Sequence, residues 1–352
     1  MSRQQNEPRC QADRLCAYVD TCPDPKEPVT IMQLLLDPLG EYHVSLDTVD
    51  EFQRAMLLDP RVQPVRANRL VAKVTHRLWR VLKVKGARVE GKTVTDARRD
   101  YFVTLMSADA RRCMPYFLLP GRKSVYLLDA WPNTYEEIKA LVGAFSVQHL
   151  FLSSSIAARH LQRELAQCDV VWVPEAIEPE SYKSLPYAQK DIDVLQLGRK
   201  YDLLHEILLA PLEKRGKKYL YEKEKETIIF PTREDFVDGL ARTKISVCVP
   251  SSITHPDQAG DIEVLSMRYL QSMTSKCLVV GHAPAELVSL FGYNPVVEID
   301  MADPAQHILS LLDTFADYSP LVERNYETVV RHHTWRHRWA VISQKVFPAD
   351  TI

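Results

Sequence analysis

Strand-sized apolar runs alternate with longer stretches of helical periodicity through most of this chain, and that alternation narrows its possible folds more than any other feature. VTIMQLLL (29–36), YFVTLMS (101–107), SVYLLD (124–129), HLFLSS (149–154) and DVVWVP (169–174) form a first series. IDVLQLG (192–198), KISVCVPS (244–251), KCLVVG (276–281) and PVVEI (295–299) form a second, with KYLYEK (218–223) and TIIFP (227–231) as shorter strand candidates. Runs apolar at consecutive positions are strands buried on both faces, and strands separated by helices pair in parallel. The intervening segments predict helices over 46–57 (Leu46, Val49, Phe52 and Met56 on one face), 67–86 (basic on its outer side), 156–167, 203–216, 233–243, 263–275, 283–292 and 303–315. Pro211 must disturb or end the 203–216 helix, and Asp303-Pro304 is a good helix start. The expected fold is α/β, with two Rossmann-like domains facing a central cleft.

Residues 1–28 are polar and proline-bearing and read as a flexible N-terminal arm. Residues 29–174 form the N-terminal Rossmann-like domain. The aperiodic 175–190, with two prolines, is the interdomain linker. Residues 191–330 form the C-terminal domain, and 331–352 a further helix. No repeat occurs at solenoid period.

The chain has 352 residues, ample for two cores, and its 44 Lys and Arg nearly balance 46 Asp and Glu. No global field favours nucleic acid. Seven cysteines, odd in number and scattered, argue against a disulfide framework, and Cys10, Cys16 and Cys22 lack the spacing of a zinc pair. No metal is expected. No run is long enough to span a membrane, no signal peptide is visible, and a reduced, cytoplasmic location fits.

Parallel sheets bind ligands at the carboxyl ends of their strands, so the candidate residues are Asp129, Gly198, Arg199, Lys200, the 250–255 loop with His255, and Gly281 with His282. Neither a dinucleotide fingerprint nor a phosphate loop occurs, which disfavours nicotinamide enzymes and ATPases of those classes. Gly198 permits a close turn, and Arg199 and Lys200 could neutralise a diphosphate, although an ordinary basic strand–helix junction reads the same way. In the expected 263–275 helix, Glu263 and Gln271 are eight residues apart and could face one ligand about 12 Å apart along the axis. The alternative is a solvated polar face. His255 and His282 border these loops and read equally as polar loop residues. RHHTWRHRW (331–339) could suggest nucleic acid or an anionic membrane, but Trp335 and Trp339, four apart, read better as core residues covered by arginines.

The strand ending at Gly281, the segment Arg268-Tyr269-Leu270-Gln271-Ser272-Met273 and the two-domain organisation resemble the GT-B nucleotide-sugar glycosyltransferases. The closer likeness is to the retaining group that includes glycogen and sucrose synthases, and within it to the spore-coat-maturation-like branch. The resemblance is clearest over roughly 192–342. It implies a hexosyltransferase-like enzyme with a nucleotide sugar as co-substrate, no further cofactor, and an unidentified glycan, lipid or small-molecule acceptor. That group carries two glutamates with seven residues between them; here Glu263 matches the first and Gln271 stands at the second. By the likeness Glu263 lies beside the transferred sugar, position 271 bonds the ribose, and Arg199 and Lys200, with Arg268, hold the diphosphate. The last helical stretch crosses back to the N-terminal domain. Asp129 would orient an acceptor hydroxyl, or else cap the Trp131-Pro132 turn. The glycine-rich loop frequent after the group's first strand is replaced by Asp37-Pro38-Leu39-Gly40. A catalytically inactive sugar-nucleotide or glycan-binding relative, an epimerase of the same fold and a plain assembly subunit are the alternatives.

Overall fold

The computed structural model describes residues 31–37, 47–82, 99–197, 201–222 and 229–347. The first series of runs builds β1 (Ile31–Leu36), α1 (Asp47–Met56), β2 (Val62–Arg66), α2 (Arg69–Leu82), β3 (Arg99–Leu105), β4 (Lys123–Leu127), α3 (Tyr135–Phe145), β5 (His149–Leu152), α4 (Ser155–Glu164) and β6 (Asp169–Trp172). The strands form one six-stranded sheet in the order β2-β1-β3-β4-β5-β6, with parallel pairing throughout. Successive strand residues enter opposite cores, as the two-residue period requires. Tyr101, Val103 and Leu105 join Ala72, Leu141 and Phe145 on one face. Phe102, Tyr126 and Phe151 join Phe52, Met56, Trp335 and Trp339 on the other.

The second series gives β7 (Ile192–Gln196), α5 (Asp202–Lys214), β8 (Tyr219–Tyr221), α6 (Arg233–Ala241), β9 (Thr243–Cys248), the short α7 (Ser251–Thr254) and α8 (Pro256–Ala259), α9 (Met267–Thr274), β10 (Leu278–Gly281), α10 (Ala285–Phe291), β11 (Val297–Glu298) and α11 (Pro304–Asp313). This sheet is also parallel, in the order β11-β10-β9-β7-β8, so its chain order reverses between β7 and β9. In open α/β sheets that reversal opens a crevice at the strands' carboxyl ends. Two helices close the chain, α12 (Ser319–His332) and α13 (Trp335–Val346).

Several expectations change. The further helix expected over 331–352 starts only at Trp335, because Ile177 pairs with Thr334 and bonds His333 O and Trp335 N at the α12–α13 junction. Trp335 and Trp339 are core residues: Trp335 lies 5.0 Å from Phe52 and Trp339 6.3 Å from Phe102, ring centre to ring centre. Arg338 does not cover them from outside. It is buried, and donates to Pro174 O, Glu175 O, His332 O and the His333 ring. Helix α5 runs through Pro211 to Lys214; the proline sits in the last turn, so the one helical bond it removes, to Ile207 O, is followed by only three further helical residues. Ile229 and Phe230 are not a strand, since the Phe230 ring instead packs beside Gly239 of α6. The 175–190 connection is firmly packed. Ala176 and Ile177 are buried, and the Lys190 ammonium donates to Ala241 O, Thr243 O and Ser275 O at 2.8–3.0 Å. Among the described residues no helix is long and apolar enough to cross a membrane.

Candidate active site

The carboxyl ends of β7 and β9 and the helix α9 bound the crevice of the second sheet. Arg268, in the first turn of α9, donates Nη1 to Leu197 O at 2.9 Å. This fixes its half-buried guanidinium at the end of β7, beside the segment Gly198-Arg199-Lys200, whose three residues lie outside the described ones.

Glu263 is not on that helix. The helix begins at Met267, and residues 262–266 are irregular, with only the N-cap Ser266 seen in the extended region. The reason is tertiary. Met267 N donates to Glu175 Oε2 at 2.7 Å and Leu265 N to Glu286 Oε2 at 3.4 Å, so carboxylates take amides that a helix would orient along its axis. The helical spacing expected between Glu263 and Gln271 therefore does not hold. Glu263 instead lines an open cavity of about 400 Å³ with Ser252, Ile253, Pro256, Gly260 and Asp261. His282 ties it down: Nε2 lies 3.3 Å from Glu263, and Nδ1 3.3 Å from Glu298.

Gln271 is buried, and its Nε2 meets the Tyr182 hydroxyl at 3.0 Å. Tyr182 donates to Glu51 Oε1 at 2.8 Å, and Glu51 also accepts from Glu178 N (2.9 Å) and Arg233 Nη2 (2.7 Å). Arg233 further pairs with Asp47. This network joins α1, the 175–190 connection, α6 and α9. Burial pushes the Glu51 carboxyl above its ordinary range, against the lowering effect of these donors.

Gly281 is required by packing. Its φ is +141°, and a Cβ there would fall 2.1 Å from Cys248 O on β9. His255 is exposed and bonds Thr254 within its own turn, 3.0 Å from Nδ1 to Oγ1. Of the expected residues, Glu263 and His282 are brought into contact, and Arg268 is set at the end of β7. Gln271 is committed to the Tyr182 network.

Sequence reasoning missed three carboxylates between the sheets. Glu175 is half-buried between the sheets, and desolvation, with the nearby Asp129 charge, raises its pKa to about 8, opposed by the Met267 amide and Arg268. Glu286 accepts from Ser155 N at 2.6 Å, at the first turn of α4, where a carboxylate complements the exposed amides. Glu51 is the third. Glu175 and Glu286 each stand as a single acidic residue within an apolar stretch (WVPEAI, PAELVSL), the one signal available, whereas Glu51 follows Asp50 and carries none. Asp129, just past β4, is half-buried and shares this region with Glu175 and Arg268. Trp131 packs across from the first sheet onto Ala259 and Ile262.

No protein-family model matches this chain, and no curated protein matches it. Solved structures do. Sucrose-phosphate synthase from Thermosynechococcus elongatus superposes with a TM-score of 0.58 at 10% identity, over 90% of this chain and 98% of that one. HepE from Anabaena, solved in complex with UDP and glucose, gives 0.55 at 10% identity, over 90% and 99%. TarM, at a TM-score of 0.48 and 12% identity, is covered over only 55% of its length. At these identities the likeness is one of fold, and the fold of this chain, two parallel sheets with their helices, is that of the GT-B glycosyltransferases.

Proposed function

We propose that this protein transfers a sugar, hexosyl in type, from a nucleotide-sugar donor to an acceptor, with retention of anomeric configuration and without a metal ion. The observation that carries this reading is Arg268, anchored on Leu197 O where the second sheet reverses its strand order, in a GT-B fold. HepE, with the same fold, was solved with UDP and glucose bound. The donor diphosphate then lies at the end of β7. Arg268, Arg199 and Lys200 neutralise the charge that develops as the sugar–phosphate bond breaks, the role a metal fills elsewhere. Glu263 faces the sugar, where a carboxylate favours a cationic transition state over the neutral ground state. His282, held by Glu298, fixes its direction. Asp129 orients the acceptor hydroxyl from the other sheet, beside a Glu175 that burial keeps protonated at neutral pH.

Gln271 has a different part in this reading. Its side-chain amide is engaged by Tyr182, so it braces the network between the two halves of the molecule and does not read the ribose. In this reading the enzyme is of the spore-coat-maturation-like branch, with 29–174 as its acceptor-side half and 191–330 as its donor-side half.

A second reading is a sugar-nucleotide-binding relative without turnover, favoured by the missing second glutamate at position 271. Incubation with a panel of nucleotide sugars, scored for nucleoside diphosphate release and for binding by calorimetry, separates the two. Release supports the transferase, binding alone supports the relative, and neither one refutes both.

A further inference from the structure

Helix α2 carries its apolar residues on the wrong side for a packed helix. At 3.6 residues per turn its fourteen positions divide into three sectors. Ala72, Thr75, His76 and Trp79 form one; they are the buried or half-buried positions of the helix, and the Trp79 ring stacks on Phe145 at 5.2 Å. Leu70, Val81, Val74, Leu78, Val71 and Leu82 form a second, spanning an arc of about 120°, and all six are exposed, Leu70 by 69% and Val81 by 76%. Arg69, Lys73, Arg77 and Arg80 form the third, on an arc of about 80° directly beside the leucines and valines. The helix has no acidic residue.

A solvent-facing helix would place its charges where these aliphatics stand, and a core helix would bury them. An apolar arc flanked by a purely cationic one is complementary to a surface that is apolar below and anionic above. We infer that α2 lies in the headgroup region of an anionic lipid bilayer and docks the N-terminal half of the protein there. At about 21 Å long it is too short to span a bilayer and suited to lying along one. The six side chains enter the acyl boundary while Arg69, Lys73, Arg77 and Arg80 meet phosphate groups. The inward sector keeps Trp79 on Phe145, so docking costs no rearrangement of the fold. The inference is independent of the proposed chemistry.

Flotation of the full chain with vesicles tests it. The protein should bind phosphatidylcholine vesicles containing phosphatidylglycerol and bind pure phosphatidylcholine much less, and high salt should weaken the binding. Lys73→Glu with Arg77→Glu should weaken it roughly tenfold or more, and Val74→Asp with Leu78→Asp should abolish it. Both double variants alter only exposed side chains, so their melting should match the wild type. Failure of the wild-type protein to bind anionic vesicles overturns the inference, as does binding that survives the aspartate substitutions. Two other occupants have their own signatures. A second copy on this face would give a dimer that the aspartate variant dissociates, without vesicle binding. A segment of the same chain covering it would make that variant melt lower, again without vesicle binding. Either result overturns the inference.

Discussion

Replacing Arg233 by Met should cost far more than an ordinary half-exposed arginine. Its guanidinium neutralises two carboxylates, Asp47 and Glu51, which are 4% and 0% exposed, and it lies over the Tyr182 ring. Surface ion pairs are worth about 0–1 kcal/mol, whereas removing one partner of a buried pair costs about 3–5 kcal/mol because the other charge stays behind. Two carboxylates are left here, one fully enclosed, so the upper range applies at pH 8. The loss should shrink towards pH 5. Burial already raises Glu51 above the ordinary glutamate range, and losing Arg233 raises it further. A carboxyl whose folded pKa exceeds its unfolded one contributes stability at low pH that is lost as pH rises between the two values. Adding Glu51→Gln to the variant should therefore recover part of the deficit at pH 8 and little at pH 5. Urea unfolding followed by tryptophan fluorescence and by circular dichroism, at both pH values, measures this and exposes any separate unfolding of the two halves. A deficit below about 1 kcal/mol, independent of pH and additive with Glu51→Gln, would refute the account of this network.

Glu175 gives a second pH signature. With its pKa raised to about 8, wild-type stability should fall as pH rises through that value, and Glu175→Gln should melt with a flatter pH profile. Trp335→Ala, opening a void against Phe52 and Tyr126, should cost about 3–5 kcal/mol in urea titration and leave any residual donor affinity near wild type. Arg268→Ala, Arg199→Ala and Lys200→Ala should each weaken nucleoside diphosphate binding by about 1.5–3 kcal/mol in calorimetry; unchanged affinity in all three moves the diphosphate elsewhere.

The strands were legible because parallel sheets bury both strand faces, which writes continuous apolar runs into the sequence. β2 (VQPVR) escaped because it is an edge strand, with a proline and exposed polar residues, and carries no such run. The start of α9 was misplaced for a reason no periodicity contains. The residues from Glu263 to Ser266 have helical character, but the amides of Leu265 and Met267 are claimed by Glu286 and by Glu175. The same holds for the site. Arg268 and Glu263 were named from the family likeness, while Glu51, Glu175 and Glu286 acquire their surroundings only when distant segments enclose them. The Trp335 and Trp339 pair was readable from its four-residue spacing, yet the buried Arg338 beside it was not, because its partners are main-chain carbonyls.

The central claim is that the crevice at the end of β7 holds a nucleotide sugar whose sugar meets Glu263. Steady-state nucleoside diphosphate release from the best donor of the panel, measured for the wild type and for Glu263→Gln beside calorimetric affinity for the free nucleotide, tests it most directly. The account predicts a loss of turnover of about a hundredfold or more in the variant, with nucleotide affinity within a few-fold of wild type. Full turnover in Glu263→Gln, or equal losses of turnover and nucleotide affinity, would contradict it.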